Sequence, residues 1–169
     1  MQLGRLIRHV AATHWRTRRL FPSSTLDAIE QAIARAEQAH AGEIRFAVET
    51  ALTPHHVWHG VDPRRRALAV FAELHVWDTE LNNGVLIYVL LADRSVEIVA
   101  DRGLQGRVRP AEWEAVCRLM EEHFRAGRIK AGSIAGIDAV GGLLARHFPA
   151  AIAKEAAARN ELPDQPTLL

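Results

Sequence analysis

The chain has 169 residues, of which 49% are apolar and 24% charged, and a net charge of +1. That is enough for one domain with a real core, needs no cofactor or staple to fold, and excludes a disordered or fibrous chain. A single cysteine, Cys117, excludes an internal disulfide; no apolar run approaches the ~18 residues of a spanning helix and the N-terminus lacks a signal-peptide core, so the expected compartment is the cytoplasm.

Residues 5–19 read as a short basic helix with Leu6 and Val10 at helical spacing, ended by Phe21-Pro22. Arg5, Arg8, Arg16, Arg18 and Arg19 stand there without an Asp or Glu, and with Trp15 they form a candidate surface for an anionic membrane or an acidic partner. Only Lys130 and Lys154 among the basic residues are lysines, so the arginine excess is chain-wide and nucleic acid is not an expected partner. A second helix is expected to about His40, capped by Ser23 or Ser24 and ended by Gly42.

Residues 43–50 alternate, with Ile44, Phe46 and Val48 opposite Glu43, Arg45 and Ala47, which predicts a half-buried strand. The segment Pro54 to Gly60, with His55, His56 and His59, reads as a solvated loop rather than a metal site, because no acid or cysteine completes a ligand shell. Asp62-Pro63 supplies an N-cap and a first-turn proline for a helix to about His75.

After Gly84 the apolar run Val85 to Leu91 predicts a central strand buried on both faces. A polar break at Ala92 to Ser95 is so short that the following strand, 96–101, must pair antiparallel as a hairpin, whereas the first two strands, separated by a helix, should be parallel. Pro110 opens a helix with Trp113, Val116, Cys117, Met120 and Phe124 on one stripe. A Gly/Ala-rich helix to Phe148 follows, then an alanine-rich continuation to about Arg159 and a frayed tail at Pro163 to Pro166.

These elements predict an α/β protein, a three-layer αβα sandwich whose small mixed sheet holds two parallel strands plus an antiparallel hairpin strand, flanked by helices. Parallel first and second strands begin on the edge where the antiparallel third strand ends, so three polar turns meet there. Glu43, Asp78, Asn82 and Asp101 are candidate ligands for calcium or magnesium, and Asn83, Arg102 and Gly103 are candidates for a small anion. The reading placed ahead of both is turn chemistry at Asn82-Asn83-Gly84, with carboxylates pairing arginines, since calcium loops carry more alternating acids than this. Cys117 lies on an apolar stripe and no serine sits in a glycine-flanked elbow, which excludes cysteine or serine hydrolase chemistry.

Gly42-Glu43-Ile44, Trp77 with Asn82-Asn83-Gly84-Val85-Leu86, and Asp93-Arg94 leading to Glu97-Ile98 and Gly103-Leu104 occur in an order and spacing that resemble the TPM domain family, over roughly residues 24–148. The resemblance implies an αβα domain over 21–149, preceded by the basic helix at 1–20 and followed by a helical or disordered tail at 150–169. It also implies a binding or interaction module acting with membrane-associated TPM or LemA-type proteins, with a divalent-dependent acid phosphatase or a peripheral membrane protein as alternatives. At the third-strand exit the family's Gly-Tyr-Gly-Leu-Glu is replaced by Asp101-Arg102-Gly103-Leu104-Gln105, and Arg107 and Arg109 add positive charge that disfavours a hard cation.

Overall fold

A computed structural model describes residues 2–12, 14–151 and 160–169. Its sheet has the order β3-β2-β1-β4, built from β1 (Glu43–Glu49), β2 (Gly84–Leu90), β3 (Ser95–Ala100) and β4 (Thr167–Leu168). β1 pairs parallel with β2 from Glu43↔Gly84 to Glu49↔Leu90, and β2 pairs antiparallel with β3 as the short connection requires.

One face of the sheet is covered by α3 (Ser23–Glu37), α6 (Pro110–Arg125) and α7 (Ile129–His147), with Ile44, Phe46, Ile87 and Ile98 meeting Ile33, Met120 and Ile137 in one core. The other face carries α4 (Pro54–Trp58) and α5 (Pro63–Glu73), where Ala47, Leu86 and Tyr88 pack with Val57, Ala67 and Val70. This is the expected αβα sandwich. α6 and α7 approach closely because Gly132 and Gly136 lie directly against Phe124 and Met120.

Several local expectations change. The basic N-terminal helix is two helices, α1 (Gln2–Ala11) and α2 (His14–Leu20). α3 starts at Ser23 with Pro22 in the cap position and no side-chain cap; Thr25 and Leu26 donate their amides to the Pro22 carbonyl instead. It ends at Glu37, five residues before Gly42. The histidine segment is helical, not a loop, since Thr53 Oγ1 caps the His56 amide and Pro54 fits the first turn.

β1 is buried along its whole length rather than on one face. Its polar side is covered because Arg45 donates to the carbonyls of Pro163 and Gln165 and to Thr167 Oγ1, which holds the end of the chain against the sheet. The segment expected to fray therefore contributes a fourth strand, β4, parallel to β1. The expected helix to Arg159 falls largely on residues 152–159, outside the described residues.

β3 is the outer strand on its side, and two side chains occupy its free edge: Arg64 donates to the Ile98 carbonyl, and Glu121 accepts the Val96 amide at 3.2 Å. At the entry to β2 a Cβ on Gly84 would stand 2.0 Å from the Val76 carbonyl oxygen, so the backbone of the preceding turn leaves no room for a side chain. Gly84→Ala should cost about 3 kcal/mol through overpacking in a core that cannot yield, read as a shift in the denaturant midpoint at unchanged slope.

Candidate functional site

The amino ends of β1 and β2 and the exit of β3 meet as expected. The turn 79–83 and the turn after β3 interlock: Asp101 N–H donates to the Gly84 carbonyl at 2.9 Å and Gly103 N–H to the Asn82 carbonyl at 2.8 Å. A Cβ at Gly103 would lie 2.4 Å from that same oxygen, so glycine is what lets the two turns touch. Asn82 sits at φ 52°, and its Oδ1 accepts from Arg102 Nε at 2.7 Å. Asn83 is buried, donating Nδ2 to the Ala41 carbonyl and receiving its own cap from Thr79 Oγ1. Asp101 Oδ1 accepts the Arg102 amide, while its Oδ2 is buried without a hydrogen-bond partner.

Glu43 takes a different path. Its side chain points to the polar face of β1 and accepts the Leu162 amide at 3.1 Å, so it serves the C-terminal segment. Asp78 is exposed, and its amide donates to the His75 carbonyl. Asn82, Asp101, Arg102 and Gly103 are thus brought into one hydrogen-bonded cluster, with Asn83 anchored behind it. Glu43 is engaged elsewhere. Among the described residues no three His, Cys, Asp or Glu side chains gather into a metal-holding group, the histidines of α4 included, although the rings of His55 and His59 stand 4.1 Å apart.

Sequence reasoning missed the cleft beside this cluster, about 710 Å³ in volume, that runs from Asp101 and Arg102 along β3 to α6. Arg64, Arg102 and Arg109 line it together with Glu97, Glu114 and Trp113. Trp113 was legible as part of a helical stripe, but whether a stripe residue at the end of a helix faces core or cleft depends on the neighbouring strand's length. Cys117 also lines the cleft, and burial, then the charges of Glu97 and Glu121, push its thiol up to about 12, which leaves it protonated and inert.

The opposite edge, outside the carboxyl ends of β1 and β2, is where open α/β sheets usually take ligands. Here it is roofed. Arg5 of α1 donates Nε and a terminal nitrogen to Asp93 at 2.6–3.1 Å. Leu52 N–H donates to His9 Nδ1, which assigns the proton to Nε2 and directs it at Asp93 Oδ1, 3.1 Å away. Thr17 of α2 bonds Thr50, and Glu49 accepts from Tyr88 and Arg66. Arg5 is therefore a structural pin and not part of a free basic surface, and Arg8 shares the same carboxylate at 3.8 Å. Trp15, Arg16, Arg18 and Arg19 remain exposed.

The family profile of the TPM domain matches residues 17–143. The chain belongs to the TPM domain family. This TPM domain is similar to the BA42 protein from the psychrophilic bacterium Bizionia argentinensis, at 31% identity and a TM-score of 0.73, over 87% of this chain and 94% of that one. The N-terminal domain of a P. gingivalis protein shares the fold at 24% identity and a TM-score of 0.50, over 70% of this chain and 74% of that one. No curated protein matches the chain. Among the described residues of the TPM domain no helix is long and apolar enough to cross a membrane.

Two tests follow from the charged contacts. Burial, opposed by the Ile44 amide and reinforced by Glu43 and Asp164, pushes Glu37 up to about 8. The folded protein then holds a proton that the unfolded chain releases near 4.5, so stability declines as pH rises from about 4.5 to about 8. Glu37→Gln, which resembles the protonated form, should flatten that decline in denaturation measured across this range, leaving the share that comes from Glu43, also raised by burial. Burial works to raise Asp93, but the hydrogen bonds from Arg5 and His9 prevail and hold it below the usual carboxylate range. Asp93→Asn should cost about 2 kcal/mol at neutral pH, and the gap to the native chain should close as pH falls through the native carboxyl's value.

Proposed function

We propose that this TPM domain is a binding module that recognises a partner protein, of the membrane-associated TPM or LemA type, through the cleft between β3 and α6. The observation that carries this reading is the content of the cleft: three arginines and three carboxylates, Asp101 among them, line it together with Trp113. An aromatic side chain sharing a cleft with both signs of charge is the composition of a recognition surface. The reading places the chain in the cytoplasm, where Cys117 stays a half-buried, reduced thiol.

A divalent-dependent phosphatase has one observation in its favour, the unpartnered Asp101 Oδ2. The rest of the donor set does not fit. Calcium takes six to eight oxygens and magnesium a near-ideal octahedron, whereas Asn82 Oδ1 is bonded to the Arg102 guanidinium and Glu43 to the Leu162 amide. A cation would first have to displace Arg102.

Tagged protein expressed in its native host should recover a partner that Trp113→Ala and the Arg102→Glu/Arg109→Glu pair fail to recover. Amide NMR under calcium or magnesium titration should show no shifts confined to residues around Asn82 and Asp101. Confined, saturable shifts together with metal-dependent phosphatase turnover at enzyme-like rates would overturn the proposal in favour of the hydrolase.

A further inference from the structure

A surface helix normally turns its apolar stripe to the core and its charges to water. α1 largely inverts this, for among its large apolar residues only Leu6 packs inward. Its inward side carries Arg5 and His9, bonded to Asp93 and the Leu52 amide, with His9 only 3% exposed. Leu3, Ile7 and Val10, spaced to form one stripe, stand 70%, 60% and 64% exposed. The inversion is built in, because the buried polar side has specific partners and turning the helix would leave Asp93 and the Leu52 amide unpaired.

Exposure of this kind recurs on the helix next in the chain and on the helix next in space. Trp15 on α2 is 68% exposed, and Trp58, on the α4 helix packed beside α1, is 71% exposed. The charge carried by the N-terminal segment itself has one sign. Residues 1–20 contain no Asp or Glu. Arg16, Arg18 and Arg19 are exposed, and among the described residues none of the three has a carboxylate within ion-pair distance; Arg19 instead lies 5.5 Å over the Trp15 ring.

We infer that α1 and α2 form a docking surface for an anionic lipid bilayer, with Leu3, Ile7 and Val10 entering the interface and Arg16, Arg18 and Arg19 meeting lipid phosphates. An apolar stripe alone would suit any hydrophobic partner; the charge decides the occupant. A two-fold dimer would bring the same patch onto itself and set arginine against arginine. An anionic bilayer supplies both the apolar phase and the counter-charge, and its headgroup layer is where tryptophans settle. This surface is separate from the β3 cleft, and the inference does not rest on the partner proposed for that cleft.

The test is co-sedimentation of the full chain with vesicles of phosphatidylcholine alone and with one-third phosphatidylglycerol. The chain should bind the anionic vesicles and lose at least tenfold in partitioning when salt rises from 0.05 to 0.5 M. Leu3→Ser/Ile7→Ser/Val10→Ser and Arg16→Glu/Arg18→Glu/Arg19→Glu should each lose tenfold or more at low salt. Because these side chains are exposed, unchanged thermal unfolding should show that both variants are folded. A blue shift of tryptophan emission on anionic vesicles should disappear in Trp15→Phe/Trp58→Phe while Trp77 and Trp113 remain. Absence of binding at low salt, or equal binding by the triple-serine variant, would overturn the inference. So would self-association, seen by light scattering and abolished by the serine variant, which would give the surface to a second copy.

Discussion

The structure depends on two parallel strands, β1 and β2, lying side by side and buried on both faces. Each buried Val, Leu or Ile of this pair contributes about 1.5–3 kcal/mol relative to exposure, and the pairing holds only because the chain enters β2 through Gly84 directly under the Val76 carbonyl. With that register set, the turn before β2, the start of β1 and the exit of β3 are forced onto one rim. The interlocked Asn82 and Gly103 backbones follow from the strands, not from any attraction between the turns.

The same pairing explains why the two edges of the sheet differ. On the amino edge Arg102, Asn82 and Asp101 bond one another and open onto the cleft along β3. On the carboxyl edge, the usual ligand crevice of such sheets, the half-buried Asp93 carboxylate draws in Arg5 and His9 and with them a whole helix. The crevice that a fold-level analogy would select is thereby closed, and the cleft lies elsewhere.

Much of this was legible in the amino acids because it is local. The run after Gly84 could only be a doubly covered strand, the Ala92 to Ser95 break could only make a hairpin, and Asp62 accepts the Arg65 amide just as Asp62-Pro63 suggests. The convergence of Asn82, Asp101 and Arg102 followed from topology alone. What escaped was long-range. β4 is two residues held by Arg45, more than a hundred positions away, and no periodicity announces such a strand. Glu43 is withdrawn from the rim by Leu162 for the same reason. In α1, spacing tells which residues share a face but not which face is turned inward; Leu6 is half-buried while Val10 is exposed, and Asp93, far along the chain, makes that choice.

Arg64 and Glu121, clamped on the outer side of β3, carry a consequence for recognition. They occupy the main-chain groups that an incoming extended peptide would use to lengthen the sheet, and on the far side β4 is too short to template one. A protein that closes both ends of its sheet this way resists fibril-like stacking between copies. It also obliges any partner at the neighbouring cleft to be read by its side chains, so that selectivity rests on shape and charge with little help from generic backbone adhesion.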